Sequence, residues 1–306
     1  MTSVVVLAGG TGGAKLARGM LDVVGDDLVV IANTGDDIEI YGGYVSPDPD
    51  LVTFSLLDRL DPRGWGLLDD TFEVMAGLKE LGAEAWFGLG DRDLAFALER
   101  KRRLDAGERL TEAQLAIGRG LGLGVPVLPM CDEPVRTRVR SGGDWHDFQA
   151  FMIQLGGSAA DFDAVDGVEL TGIEATRVTP EITEALAGAE VIVIGPSNPI
   201  ISIGPILKVG GMQAALRESP APVVAVSPIV AGASVKGPTE GFLRWAGVEV
   251  SSAGVAELYR GVLDGMVADA KVDGVTTLAT DTLMSDPEAR RRVAAETLEF
   301  ARALRG

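Results

Sequence analysis

Apolar residues along the chain fall into short, β-branched runs, separated by stretches in which they recur every three or four positions. The runs at 4–8, 28–33, 85–88, 125–128, 191–195, 223–227, 248–251 and 276–279 are largely continuous in their apolar character. Strands buried on both faces need that composition, and the helical periodicity between them supplies the layers that do the burying. The pattern predicts an α/β fold: a Rossmann-like, doubly wound, mostly parallel sheet.

Two stretches depart from this rhythm. The segment VRTRVRSGGDWHDFQAF, 135–151, alternates with period two on either side of Ser-Gly-Gly-Asp and predicts an antiparallel β-hairpin. Residues 55–123 carry helical patterns such as DRDLAFALERKRRLDAG and TEAQLAIGRGLGL, which predict a helical layer and cap. We therefore expect one Rossmann-like domain over 1–306, with an insertion at about 55–175 that forms part of the substrate cleft. A last helix is expected in SDPEARRRVAAETLEFARALRG, with Ser285 as its N-cap and Pro287 in its first turn.

Composition narrows the chemistry. At 306 residues and 46% apolar, the chain can bury a large core. A formal net charge of −18 opposes binding to a nucleic-acid backbone, which requires clustered Lys and Arg. A small anionic ligand must then be held by backbone N–H groups, a few cations or a metal. Cys131 and His146 are the only residues of their kinds, so no disulfide within the chain, thiolate cluster or histidine-rich metal site is available. Any metal is bound by oxygen, and a reducing cytoplasm is the expected compartment. With no run of about 18 apolar residues and no basic leader, no membrane association is expected.

Candidate chemistry gathers in the loops after the strands, where open α/β sheets bind ligands. The first strand runs into AGGTGGAKL, whose glycines admit a ligand close to the backbone and whose helix, starting near Gly13, points N–H groups at an anion. It fits neither a P-loop, since Lys15 stands between Ala14 and Leu16, nor a dinucleotide loop, whose third glycine is replaced by Lys15. After the second strand, Asn33 and Thr34 occupy the place of the ribose-binding acid of nicotinamide folds. Asp36, Asp37, Glu39, Asp48 and Asp50 follow within fifteen residues, a concentration suited to Mg²⁺ shared with substrate phosphates. In WFGLGDRDLAF, Asp91, Arg92 and Asp93 open a helix; Asp91 is either a ligand or a cap, and Arg92 suits a phosphate or carbonyl. VIVIGPSNPIISIGP offers Ser197 and Asn198, and AVSPIVAGASVKGPTEGF offers Ser227, Lys236 and Gly237. His146 and Cys131 are assigned no role.

Taken in order over nearly the whole chain, GGTGGAKL, NTGDD, SPDPD, GLGDRD, GPSNPIISIGPI and VSPIVAG resemble the 2-phospho-L-lactate transferase family of deazaflavin coenzyme F-420 biosynthesis. The Gly- and Ala-rich composition is similar to the actinobacterial branch, which uses a phosphoenolpyruvyl donor. The resemblance implies a Mg²⁺-dependent transfer: the ribityl hydroxyl of the deazaflavin 7,8-didemethyl-8-hydroxy-5-deazariboflavin attacks a guanosine diphosphate adduct of lactate or enolpyruvate, and GMP leaves. It also implies roles for single residues. Gly10, Thr11 and Gly12 map to the nucleotide-diphosphate loop with Lys15 nearby. Asp50 and Arg92 map to the deazaflavin and the reacting phosphates, as the catalytic pair. Ser197 and Asn198 map to the guanosine side. Asn33, Asp48, Asp91 and Ser227 complete the expected substrate contacts, with Asp37 and Asp50 as metal ligands. Trp65, Trp86 and Phe87 are candidates to stack the deazaflavin. A homodimer is expected by family analogy, and a nucleotide-sugar-binding regulator of the same fold is the alternative.

Overall fold

The computed structural model describes residues 3–155, 165–235 and 237–305. Strand β1 (Ser3–Ala8) turns into helix α1 (Gly10–Val24) and the chain returns as β2 (Leu28–Ala32). A short hairpin, β3 (Ile38–Ile40) and β4 (Gly43–Val45), leads to helices α2 (Pro47–Leu56), α3 (Glu73–Glu80), α4 (Asp91–Asp105) and α5 (Leu110–Gly120), then β5 (Val127–Pro129). Next come β6 (Arg136–Ser141), β7 (Asp144–Asp147), α6 (Phe148–Gln154), β8 (Gly167–Thr171) and α7 (Pro180–Ala187). The chain goes on through β9 (Ala189–Ile194), α8 (Ile203–Lys208), α9 (Met212–Glu218), β10 (Val223–Val226) and a small ribbon, β11 (Ile229–Val230) and β12 (Ala233–Ser234). It closes with α10 (Thr239–Trp245), α11 (Ser252–Leu258), β13 (Gly265–Ala268), β14 (Thr276–Ala279) and α12 (Pro287–Ala303).

Among the described residues the main sheet has the order β14-β13-β10-β9-β1-β2-β5, and every pairing is parallel. The first strand is central, and the winding reverses between β1 and β9. Both faces are covered. Val5 and Leu7 point into one core with Ile192, Ile194 and Ile206, while Val4, Val6 and Ala8 point into the other with Leu16 and Met20 of α1 and Val293 and Leu298 of α12. This explains why the strands read as continuous apolar runs.

Beside the main sheet lie two smaller satellites, each with a hydrophobic cluster of its own. In the cap, Val45, Met75, Phe87, Leu89, Leu94 and Ala97 pack together, and α4 lies against β4 and α5. In the second satellite, β6 pairs antiparallel with β7 across the Gly142-Gly143 turn and with β8 on its other edge. Val139, Phe148, Phe151 and Phe242 form its core.

Several expectations are corrected. Residues 85–88 form no strand: Phe87 is spent on the core of the cap, with Ala85 and Trp86 packed against it. Residues 248–251 form a loop in which Val248 and Val250 pack against the main core, and Ser251 caps α11 by accepting from Gly254 N–H at 3.1 Å. β13, which the apolar pattern does not predict, has a run of only Met266-Val267-Ala268 behind a glycine. The end of the 135–151 segment is helical from Phe148. Asp286 rather than Ser285 caps α12, accepting from Ala289 N–H at 2.9 Å, while the Ser285 hydroxyl donates to the Asp286 carboxylate. Among the described residues, no helix is long and apolar enough to cross a membrane.

Candidate functional site

The winding reversal places the turn after β1 beside the loop after β9, at the carboxyl edge of the sheet, where a crevice forms. Gly9 N–H donates to Ser197 Oγ at 3.3 Å and Gly10 N–H to Asp48 Oδ1 at 2.7 Å. Gly10 holds φ at +62°, a left-handed conformation that glycine adopts without strain. Gly12 is required for another reason: a Cβ there would lie 2.0 Å from the Pro196 carbonyl oxygen. The first turn of α1 has no acidic residue and no side-chain cap of its own. Thr11 and Gly12 N–H make no hydrogen bond to any described residue and line a chamber of about 520 Å³. A helix start with free N–H groups, its positive end facing a cavity, is an anion site.

The chamber is walled by this turn, by Ser197 and Asn198, by Asp36 and Asp48, and by apolar Phe148, Met152 and Val230. Asn198 Oδ1 accepts from Ile200 N–H at 2.9 Å and Ile201 N–H at 3.2 Å, which fixes the amide. Its Nδ2 is buried without a hydrogen-bond partner among the described residues. Ser227 also lines the chamber, but its hydroxyl is used internally, accepting from Ile229 N–H at 3.1 Å and bonding Ser252 at 2.8 Å. Lys15 reaches across to donate to Met284 O at 3.1 Å and so ties α1 to the segment after β14.

Asn33, buried at the end of β2, donates through one Nδ2 to both Asp48 Oδ2 at 2.9 Å and Asp36 Oδ2 at 3.2 Å. Two carboxylates thus share one amide. Burial raises the pKa of both, that of Asp36 well above the ordinary carboxylate range, and the charge of Asp48 raises Asp36 further. Asp36 Oδ1 has no hydrogen-bond partner among the described residues. Asp37, the neighbour expected to hold metal, is turned toward an adjoining cavity of about 290 Å³; its Oδ1 accepts from Ser46 Oγ at 2.8 Å, and burial pushes it up to about 7. Among the described residues, no group of three or more His, Cys, Asp or Glu is arranged to hold a metal ion.

Asp50 and Arg92 stand apart from the chamber lining. Asp50 lies in the first turn of α2, not in a loop, and is gripped by both terminal nitrogens of Arg100 from α4. The buried Arg100 also donates to Tyr44 O and to Gln114 Oε1, each at 2.9 Å. Arg92 is exposed at the start of α4 and donates from Nη2 to Asp69 O at 3.4 Å. Asp91 acts as a cap, but for a different helix: it accepts from Glu73 N–H at 3.1 Å and Val74 N–H at 3.0 Å, at the start of α3, and from Thr71 Oγ1 at 2.6 Å. Trp65 lies under the Arg63 guanidinium, 4.4 Å from the ring centroid. Trp86 and Phe87 meet edge to face within the cap, and Phe87 is buried.

Cys131 is buried, its thiol pushed up to about 12 by burial, and His146 sits half-buried in β7 opposite Val139. Gly237 lines the chamber, whereas Lys236 lies outside the described residues. The wall that sequence reasoning missed is Thr282–Ser285, where Thr282 Oγ1 is buried and without a partner among the described residues. This segment directly follows strand β14, so the carboxyl-edge rule applied to the outermost strand finds it.

The 2-phospho-L-lactate transferase CofD family model matches residues 4–298. A phosphoenolpyruvate transferase of Kitasatospora aureofaciens is 39% identical, covering 99% of this chain and 98% of its own. A 2-phospho-L-lactate transferase of Methanosarcina mazei is 37% identical, covering 95% and 97%. A solved structure of a upf0052 family member from Bacillus halodurans aligns with a TM-score of 0.62 over 97% of this chain and 99% of that one, at 16% identity, a likeness of fold. Matched from the central strand into the terminal helix, and aligned almost end to end with relatives of both kinds, this chain belongs to the 2-phospho-L-lactate transferase CofD family.

Proposed function

We propose that the protein transfers a phosphoryl group bearing a small acid, lactyl or enolpyruvyl, from its guanosine diphosphate adduct to the ribityl hydroxyl of the deazaflavin, releasing GMP. The observation that carries this reading is the meeting, in one chamber, of the unpaired Thr11 and Gly12 N–H groups with the Asp36 and Asp48 carboxylates. Phosphoryl transfer asks a protein to position groups and to offset charge, and needs no cysteine or histidine nucleophile.

In this reading Thr11 and Gly12 N–H and the fixed Asn198 Nδ2 donate to oxygens of the pyrophosphate, and the positive end of α1 offsets its charge. Asp48 holds Gly10 N–H and keeps the turn in the open shape. Asp36 and Asp48 fit Mg²⁺: both are buried, they crowd one amide, and Asp36 Oδ1 lacks a partner, a donor set that two carboxylates share with phosphate oxygens. When bound there, Mg²⁺ supplies charge neutralisation at the phosphates as a Lewis acid. Asp50 in α2 and Arg92 at the start of α4 keep the acceptor-side roles that the family resemblance assigns them. A homodimer is the proposed assembly.

The test is GMP release from purified protein with the deazaflavin, Mg²⁺ and either the lactyl or the enolpyruvyl guanosine diphosphate adduct. Turnover with one of the two is expected and identifies the donor. Folded protein that releases no GMP with either overturns the proposal.

A further inference from the structure

The chamber is not the whole cleft. Asp36, Phe148 and Gln149 line both the main chamber and the 290 Å³ cavity beside it, so the two are lobes meeting at Asp36. The second lobe is framed by the loop after β2 and by the start of β6, which are bound together by Thr137 N–H donating to Gly35 O at 2.6 Å.

Buried polar atoms without partners also line this lobe. Asp37 and Thr137 are each 2% exposed and line the second lobe; Asp37 Oδ2 and Thr137 Oγ1 make no well-formed hydrogen bond to described residues, although the Thr137 hydroxyl sits beside the Asp36 carboxyl and the Tyr44 hydroxyl beside that of Asp37. A buried group left in that state costs free energy unless a ligand or water satisfies it. Arg136 is the third polar group of the wall. Its guanidinium is held over the Tyr44 ring, 5.5 Å from the centroid, and by a 2.8 Å bond from Nη1 to Val135 O.

The donor and acceptor pattern selects the ligand. Asp37 Oδ2 accepts, Thr137 Oγ1 does either, and Arg136 donates. A second anion would face Asp36, Asp37, Glu39 and Asp147 in the same wall. A lone cation would face Arg136. A neutral chain of alcohols, each group both donor and acceptor, meets every one of these partners without a charge conflict.

We infer that the second lobe is the subsite for the hydroxylated side chain of the acceptor, with Asp37, Thr137 and Arg136 as its hydrogen-bonding residues, delivering the terminal hydroxyl to the junction at Asp36. This rests on the functional reading above and deepens it. In the group transfer, the hydroxyl oxygen forms the new bond to phosphorus, the bond from phosphorus to the bridging oxygen of GMP breaks, GMP keeps that electron pair, and the hydroxyl proton passes to solvent or a carboxylate.

The test compares wild-type protein with Thr137→Val, Asp37→Asn and Arg136→Met. Binding of the deazaflavin is read by its fluorescence, and binding of GDP and of MgCl₂ alone is read by calorimetry. Each variant is expected to bind the deazaflavin about 10-fold more weakly, the size of one lost hydrogen bond of about 1.4 kcal/mol. GDP affinity should stay within about twofold, since no side chain of the three lines the nucleotide lobe. A deazaflavin with N-methyl in place of the ribityl chain should bind all four proteins alike. If folded variants bind the intact deazaflavin as wild type does, or lose Mg²⁺ binding instead, the subsite assignment is wrong while the functional reading stands. If wild-type protein binds GDP but no deazaflavin, the functional reading itself fails.

Discussion

Two helix starts look alike in the sequence and behave differently in the molecule. GGTGGAKL and GLGDRDL each carry glycines ahead of a fifteen-residue helix, α1 and α4. At α4 the first N–H groups are already used: Asp70 accepts from Arg92 N–H at 3.0 Å and from Asp93 N–H at 3.2 Å. At α1 the side chains stop short. Ser197 and Asp48 take Gly9 and Gly10, and the N–H groups of Thr11 and Gly12 face the chamber. A glycine-rich helix start is an anion site only where the fold withholds a cap. Here the difference comes from what precedes each helix, since α1 follows the central strand at the winding reversal and α4 follows a loop packed into the cap.

Substitutions can break or sharpen this contrast, and the largest effect is expected at α1. Gly12→Ala would place a methyl 2.0 Å from the Pro196 oxygen and force the turn apart by about 1 Å or more. GDP affinity measured by calorimetry, and GMP release, should each fall about 100-fold or more. Arg92→Ala, at the other helix, should leave GDP affinity unchanged and lower turnover by about 100-fold if its exposed side chain serves the acceptor; full turnover would confine the chemistry to the chamber. Asp70→Ala removes the cap of α4 and should cost about 1–2 kcal/mol in chemical denaturation, again with no change in GDP binding. A loss of GDP binding in that variant would mean that the two helix starts are coupled.

The smallest effect concerns acidity. Burial pushes Asp37 up to about 7 from 3.8, so between those values the folded protein holds a proton that the unfolded chain has released. Stability therefore falls as pH rises through that window. Melting temperatures recorded from pH 4.5 to 7.5, without Mg²⁺ or nucleotide, should decline, and Asp37→Asn should flatten the decline. Asp93 behaves alike, raised to about 7 first by burial and then by Asp50 and Asp70, so Asp93→Asn should flatten it further.

The sheet was legible because continuous apolar runs such as Val4–Leu7 have only one efficient use, burial on both faces. The glycine turn and Ser197-Asn198 were legible for a related reason, since both follow strands and ligand loops lie at that edge. What the sequence hid was pairing at long range. That Asp91 caps α3 rather than its own helix, or that Asp50 is held by Arg100 fifty positions away, depends on how the cap folds back, and no local pattern encodes it. The acidic stretch likewise named its carboxylates without sorting them: Asn33 brings Asp36 and Asp48 together, while a single residue of offset turns Asp37 to the other lobe.

Arg100 has a consequence for how the protein comes apart. A guanidinium with no solvent access is tolerated only while Asp50, Tyr44 and Gln114 surround it, and those partners belong to α2, β4 and α5. Peeling the cap from the sheet would break the Arg100 ion pair with Asp50 together with the apolar packing around it, so the cap has no favourable half-detached state. Calorimetry should accordingly show both layers melting in one transition, and Arg100→Met paired with Asp50→Leu should be the change that lets them separate.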